Sequence, residues 1–196
     1  MIDLPRTPGP VELDWRQIDF GGDLTPFLGG EAQRVNRNGN RFAVAVTLPP
    51  MTPADAAAWV AALNDAVGSG VRWRVRQVEM VIGVPGAPVV NGAGQAGSTL
   101  AITGGQPRYT ARRGLFFSLL SGGRRYLHLL TASTQLDASG AGTLAIVPRL
   151  RIEPENGDAV EIAQPIIEGK VSDGGFPWSI SRARRVGITF TITERA

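Results

Sequence analysis

The sequence predicts a mainly β protein: a β-rich α+β unit with one helix, into which a small β-barrel module is inserted. Three observations carry that reading. First, 25 Gly and 14 Pro among 196 residues make about one residue in five a turn former or helix breaker, which suits many short strands joined by tight turns. Second, one stretch alone spaces its apolar residues as a helix does, whereas several alternate with period two. Third, charge is unevenly spread. Residues 1–80 and 137–196 each carry a net −1, while residues 81–136 hold Arg108, Arg112, Arg113, Arg124 and Arg125 and no acid. A basic, acid-free middle between near-neutral flanks marks a distinct module. Residues 1–80 and 153–196 are therefore assigned to one discontinuous domain and residues 81–152 to the insert.

Each element follows from local pattern. Val11, Leu13 and Trp15 alternate with Glu12, Asp14 and Arg16 as in a half-buried strand. The phase slips at Ile18 and Phe20, which reads as a bulge or a strand end. Asn38-Gly39, between residues 33–37 and 40–48, predicts a hairpin closed by a type I′ turn, with positive φ at both central residues. The helix is expected over residues 53–67. Thr52 can cap it, Pro53 suits the first helical position, Asp55 sits near the positive end, and Gly68 supplies the stop. Its inner face would be Ala56, Trp59, Val60, Leu63 and Val67.

The next strand puts Val71, Trp73 and Val75 on one face and Arg72, Arg74 and Arg76 on the other. Residues 83–97, rich in Gly, Pro and Ala and without charge, read as an irregular loop. Four short strands at 99–103, 115–120, 126–130 and 143–147, separated by turn signals, predict a small barrel or sandwich. Beyond it the chain returns to charged, alternating strands: Leu150 and Ile152 lead to an Asn156-Gly157 turn, then to Val160 and Ile162, which fall in the flanking domain. Val186, Ile188, Phe190 and Ile192 form the clearest alternation in the chain. The flanks would share a core of Trp15, Phe42, Val44, Trp59, Leu63, Trp73, Ile188 and Phe190. On this division, a short Gly/Ser linker in place of residues 83–150 is expected to leave a cooperatively folding remainder.

The chemical signals are few. The chain has no cysteine, which excludes disulfides and thiolate chemistry, and the single histidine excludes sites that need two imidazoles. Gly92, Gly94 and Gly97 match the dinucleotide fingerprint literally. That site needs a helix after the turn and an acid about 20 residues on, whereas residues 98–103 read as a strand and no acid follows. No cofactor is expected. His128 alternates with packing residues in Tyr126-Leu127-His128-Leu129-Leu130, and no Gly-x-Ser-x-Gly elbow supplies a nucleophile. Glu153, Glu155 and Asp158 surround a turn without calcium-loop spacing and read as a solvated hairpin end. No catalytic, cofactor-binding or metal residue is assigned, and no enzyme activity is expected.

The arginines remain. Arg72, Arg74 and Arg76 form a basic stripe. Arg108, Arg112, Arg113, Arg124 and Arg125 populate the insert among Tyr109, Phe116, Phe117 and Tyr126. Two uses fit: contacts to a neighbouring subunit, or a polyanion surface for single-stranded nucleic acid or polysaccharide. A net charge of +3 is a small electrostatic footprint for nucleic acid, which favours the interface. No apolar run reaches the length of about 18 residues that a membrane helix needs, so no membrane contact is expected.

The wording of the chain goes further. Arg34-Val35-Asn36-Arg37, Leu48-Pro49-Pro50-Met51-Thr52 and the Ala-rich helix resemble the front half of small tail proteins of long-tailed bacteriophages. Gly83-Val84-Pro85-Gly86-Ala87-Pro88, Gln95-Ala96-Gly97-Ser98-Thr99-Leu100, Gly123-Arg124-Arg125-Tyr126-Leu127-His128 and residues 142–151 look like the same group. The resemblance runs from about residue 30 to the end and points to the distal tail protein family of siphovirus-like phages, in its short version with an OB-like insert. It implies a belt domain with a helix, a hexameric ring joining the tail tube to the baseplate hub, and a location at the virion tail tip. The partners it implies are further copies of the chain, the tail tube protein and the hub protein, with no specific nucleic acid. No catalytic residues come with it.

Overall fold

The structure, a computed structural model, describes residues 1–172 and 175–195. In chain order the elements are β1 (Ile2–Asp3), β2 (Glu12–Ile18), β3 (Gly22–Leu24), β4 (Gln33–Val35), β5 (Arg41–Thr47), α1 (Pro53–Ser69), β6 (Val71–Arg74), β7 (Gly86–Val90), β8 (Thr99–Gly105), β9 (Thr110–Ala111), β10 (Phe116–Ser121), β11 (Arg124–Leu130), β12 (Thr134–Gln135), β13 (Gly142–Val147), β14 (Ala159–Glu161), β15 (Ile166–Val171), β16 (Trp178–Ile180) and β17 (Val186–Glu194). The fold is mainly β. A seven-stranded sheet runs β1-β6-β15-β17-β5-β2, with β16 added on β17, and a closed barrel runs β10-β11-β13-β8-β7-β14. The barrel pairs are all antiparallel, whereas β1 joins the sheet parallel to β6.

The chain leaves the sheet after β6, builds the barrel, and returns in β15, which pairs directly with β6 through Ile167 and Trp73. The barrel thus hangs between two adjacent strands. Its far boundary lies beyond residue 152. β14 pairs with β10 and β7 inside the barrel, so Val160 belongs to the insert and not to the flanking domain. The alternation of Val160 and Ile162 marks a strand correctly but carries no information on which sheet receives it.

The helix shows how local chemistry sets an element. Thr52 accepts the Asp55 N–H in its side chain, Pro53 stands at the N-terminus, and Ala56, Trp59, Leu63 and Ala66 are buried. The stop is Gly70, at φ 76°, rather than Gly68; its N–H donates to the Ala66 carbonyl at 2.8 Å. Val67 is 52% exposed and lies off the inner face. Thr52→Ala is expected to lower stability by about 1 kcal/mol through loss of the cap, readable as a shifted urea midpoint at unchanged slope.

Two other expectations are corrected. Asn38-Gly39 closes no hairpin: β4 pairs with β3, while β5 pairs with β2 and β17. Neither Asn38 nor Gly39 has the positive φ that a type I′ turn requires. Residues 83–97 are not all loop, because Gly86–Val90 forms β7, which adds to β8 and β14. The slip at Ile18 is a strand end, since β2 pairs with β5 in unbroken register up to Ile18.

The sheet core gathers Phe42, Val44, Trp59, Leu63, Trp73, Ile188 and Phe190, with Trp15 packed against it. The barrel has its own core around Leu100, Phe117, Leu119 and Leu144. The two are joined. Leu127 of β11 is buried in the sheet cluster, and Phe116 and Leu129 pack on it. Polar ties reinforce the seam. The Ser118 hydroxyl donates to the Ile166 carbonyl at 2.9 Å and accepts the Ile166 N–H at 2.6 Å. Glu168 accepts from Arg72 of the sheet and from the Arg125 N–H of the barrel.

Candidate functional site

The basic stripe on β6 is positioned by alternation. Val71, Trp73 and Val75 are buried, and Arg72, Arg74 and Arg76 turn outward. β1 covers this strand only at Val71 and Arg72. After Leu4, whose N–H donates to the Arg72 carbonyl at 3.2 Å, the chain departs through Pro5, Pro8 and Pro10. Proline carries no N–H to continue a ladder, so the strand's outer side is left open. Between β6 and this N-terminal segment lies a groove of about 920 Å³. Arg6, Arg72, Arg74, Arg76 and Arg125 line it together with Leu4, Trp73, Val78 and Ile82, and Asp3 is its one acidic lining residue.

Two of these arginines are already committed. Arg72 pairs with Glu168 at 3.2 Å, and Arg125 grips Glu161 through two nitrogens at 2.9 and 3.0 Å. The hydrogen bond to Glu161 raises the Arg125 guanidinium above its ordinary value. Arg6, Arg74 and Arg76 are exposed and have no ion-pair partner among the described residues. Gly9 lies directly under the Arg76 guanidinium, and a Cβ there would collide with it.

The eight arginines singled out from sequence therefore divide. Arg72, Arg74, Arg76 and Arg125 converge on the groove, whereas Arg108, Arg112, Arg113 and Arg124 lie elsewhere on the barrel. Arg108 occupies a turn at φ 58°, with its N–H donating to the Asp137 carbonyl at 3.0 Å. Arg112 and Arg113 are exposed ahead of β10, and Arg124 is half-buried at the start of β11. Arg6 joins the groove unannounced, since an isolated arginine near the N-terminus carries no pattern of its own.

The aromatic residues among the barrel arginines are covered, Tyr109, Phe117 and Tyr126 in the barrel core and Phe116 against the sheet. Phe117 and Tyr126 are buried, Tyr109 donates its hydroxyl to the Ile82 carbonyl at 2.7 Å, and Phe116 packs at a tilt against Trp15, with ring centroids 4.7 Å apart. They present no open face on which a base could stack. His128 is wholly buried, its Nδ1 2.9 Å from the Pro148 carbonyl and its ring stacked on Phe117 at 5.5 Å. Burial lowers its pKa to about 4. Gly92, Gly94 and Gly97 all take positive φ in the link from β7 to β8, and the chain then enters a strand where a dinucleotide site needs a helix. Among the described residues, no group of three His, Asp or Glu side chains could hold a metal ion, and no helix is long and apolar enough to cross a membrane.

A second surface lies at the opposite end of β2. Residues 19–35 leave the sheet as an exposed arm built on the β3–β4 pair, with Arg34 paired to Asp19 and Asp23. Its tip carries Phe27 at 101% and Leu28 at 93% exposure. Phe27 and Leu28 are adjacent, so the tip presents one contiguous apolar surface to solvent. No protein-family model matches the chain, and no curated protein matches it.

Proposed function

We propose that this chain is a structural component of a bacteriophage tail, a ring-forming distal tail protein that joins the tail tube to the baseplate hub at the virion tip. The observation that carries the reading is architectural. A sheet bearing one helix, with a closed barrel hung between two adjacent strands, is the arrangement that the resemblance implies for a belt domain and its outward module. The phrases that carry the resemblance are distributed over both parts of the chain. The exposed apolar arm and the open side of β6 add surfaces suited to association between subunits.

The reading names three kinds of partner: further copies of the chain, the tail tube protein and the hub protein. Mass photometry of the purified protein, alone and with tube protein, is expected to show a species at six times the 20.8 kDa chain mass. Persistent monomers at micromolar concentration in both samples would overturn it. The competing use of the barrel, as a grip for single-stranded nucleic acid or polysaccharide, has less support because its aromatic rings are covered, Tyr109, Phe117 and Tyr126 in the barrel core and Phe116 against the sheet. A labelled oligonucleotide is expected to show no binding at low salt, where phosphate contacts would be strongest.

A further inference from the structure

We infer that the tip of the 19–35 arm of one copy docks in the arginine-lined groove of the next, a contact that rests on the ring reading and supplies its subunit interface. Complementarity argues for it twice. The arm tip offers Phe27 and Leu28 without cover, and the groove offers the exposed Val78 and the half-buried Ile82 behind a rim of Arg6, Arg74 and Arg76. The arm carries a net −2, with Asp19 and Asp23 held by Arg34 and Glu31 left beside the tip, while the groove carries five arginines against Asp3. A phosphate chain would suit this groove less well, because Arg72 and Arg125 are already neutralised by Glu168 and Glu161 and much of the lining is apolar.

The arm is placed to serve a neighbour. Pro10, in the groove wall, precedes β2, and the arm begins only after β2 ends at Ile18. Seven extended residues separate the two by about 20 Å, at roughly 3.3 Å per residue. The arm and the groove are different patches of one chain, so their contact is heterologous and repeats head to tail, closing into a ring when the rotation between copies permits.

The chain's lack of cysteine makes a direct test available. Leu28→Cys at the tip and Val78→Cys in the groove, combined in one full-length chain and oxidised, are expected to give a covalent ladder ending in a closed ring. Leu28→Cys paired with Ser139→Cys, an exposed turn residue outside the groove, is expected to give none. Mixing the two single variants Leu28→Cys and Val78→Cys reads the contact without any ring, as a covalent dimer. Phe27→Ser with Leu28→Ser is expected to raise the concentration for half-assembly at least tenfold. If wild type forms rings but neither cysteine experiment exceeds the Ser139 control, the arm contact is wrong and the ring reading stands. If the mixed variants cross-link while wild type forms no ring, the contact stands and the ring reading falls. Monomers that never cross-link overturn both.

Discussion

Replacing Glu194 with alanine is expected to lower the free energy of unfolding by about 3–5 kcal/mol, the range for removing one partner of a buried ion pair. Glu194 ends β17 and is 1% exposed. One carboxylate oxygen accepts the Leu127 N–H at 2.7 Å and pairs with the Arg151 guanidinium; the other accepts the Phe42 N–H at 3.1 Å. Burial pushes this carboxyl upward, and Arg151 with the two N–H donors pulls the other way. Truncation would leave a buried guanidinium without its counter-charge and two N–H groups without an acceptor, one in the sheet and one in the barrel. Glu194→Gln keeps the shape and one acceptor and should lose less. Urea unfolding followed by circular dichroism and tryptophan fluorescence measures both variants. A loss below about 1 kcal/mol for Glu194→Ala would mean that water replaces the carboxylate and that the seam does not depend on it.

The second large effect is a pH dependence. His128 is wholly buried and its pKa falls to about 4 from an ordinary value near 6.5, chiefly through desolvation. The folded chain holds the ring neutral while the unfolded chain binds the proton, so the contribution is complete above about pH 6.5 and is lost as pH falls through 4. A depression of this size corresponds to about 3 kcal/mol at about 1.4 kcal/mol per unit. Carboxylates titrate in the same window, so the difference between wild type and His128→Gln isolates the histidine. Wild type should lose stability more steeply between pH 6.5 and 4, and parallel profiles would sink the assignment. Since His128 is the sole histidine, its imidazole proton resonances report the titration directly.

What the sequence made legible depended on whether the governing interaction was local. β2, α1 and β17 declare themselves through alternation or a cap, because those signals sit within one element. β7 was hidden: Gly86-Ala87-Pro88-Val89-Val90 has no polar alternation, and only its pairing with β8 and β14 makes it a strand. Asn38-Gly39 misled because a tight-turn dipeptide says nothing of which strand lies opposite. The stripe of Arg72, Arg74 and Arg76 was readable. Its convergence with Arg6 and Arg125 was not, nor was the engagement of Arg72 by Glu168, 96 residues away. The expectation that residues 83–150 lift out cleanly meets the same obstacle. Leu127 is buried in the sheet core, and β14 would lose its partner β10 along with most of the barrel.

Glu168 has a mechanical consequence. It is 5% exposed, and its two oxygens hold Arg72 of the sheet and the Arg125 N–H of the barrel. Arg125 in turn clamps Glu161, just before the chain re-enters the sheet. Two strand crossings alone would leave the barrel a hinge on which to swivel. The carboxylate, with Ser118 and Ile166 beside it, supplies further points of attachment and removes that torsional freedom. Whatever binds the barrel is displayed at a fixed angle to the sheet, and a pull on it is carried into β15 and β6 rather than absorbed by a pivot.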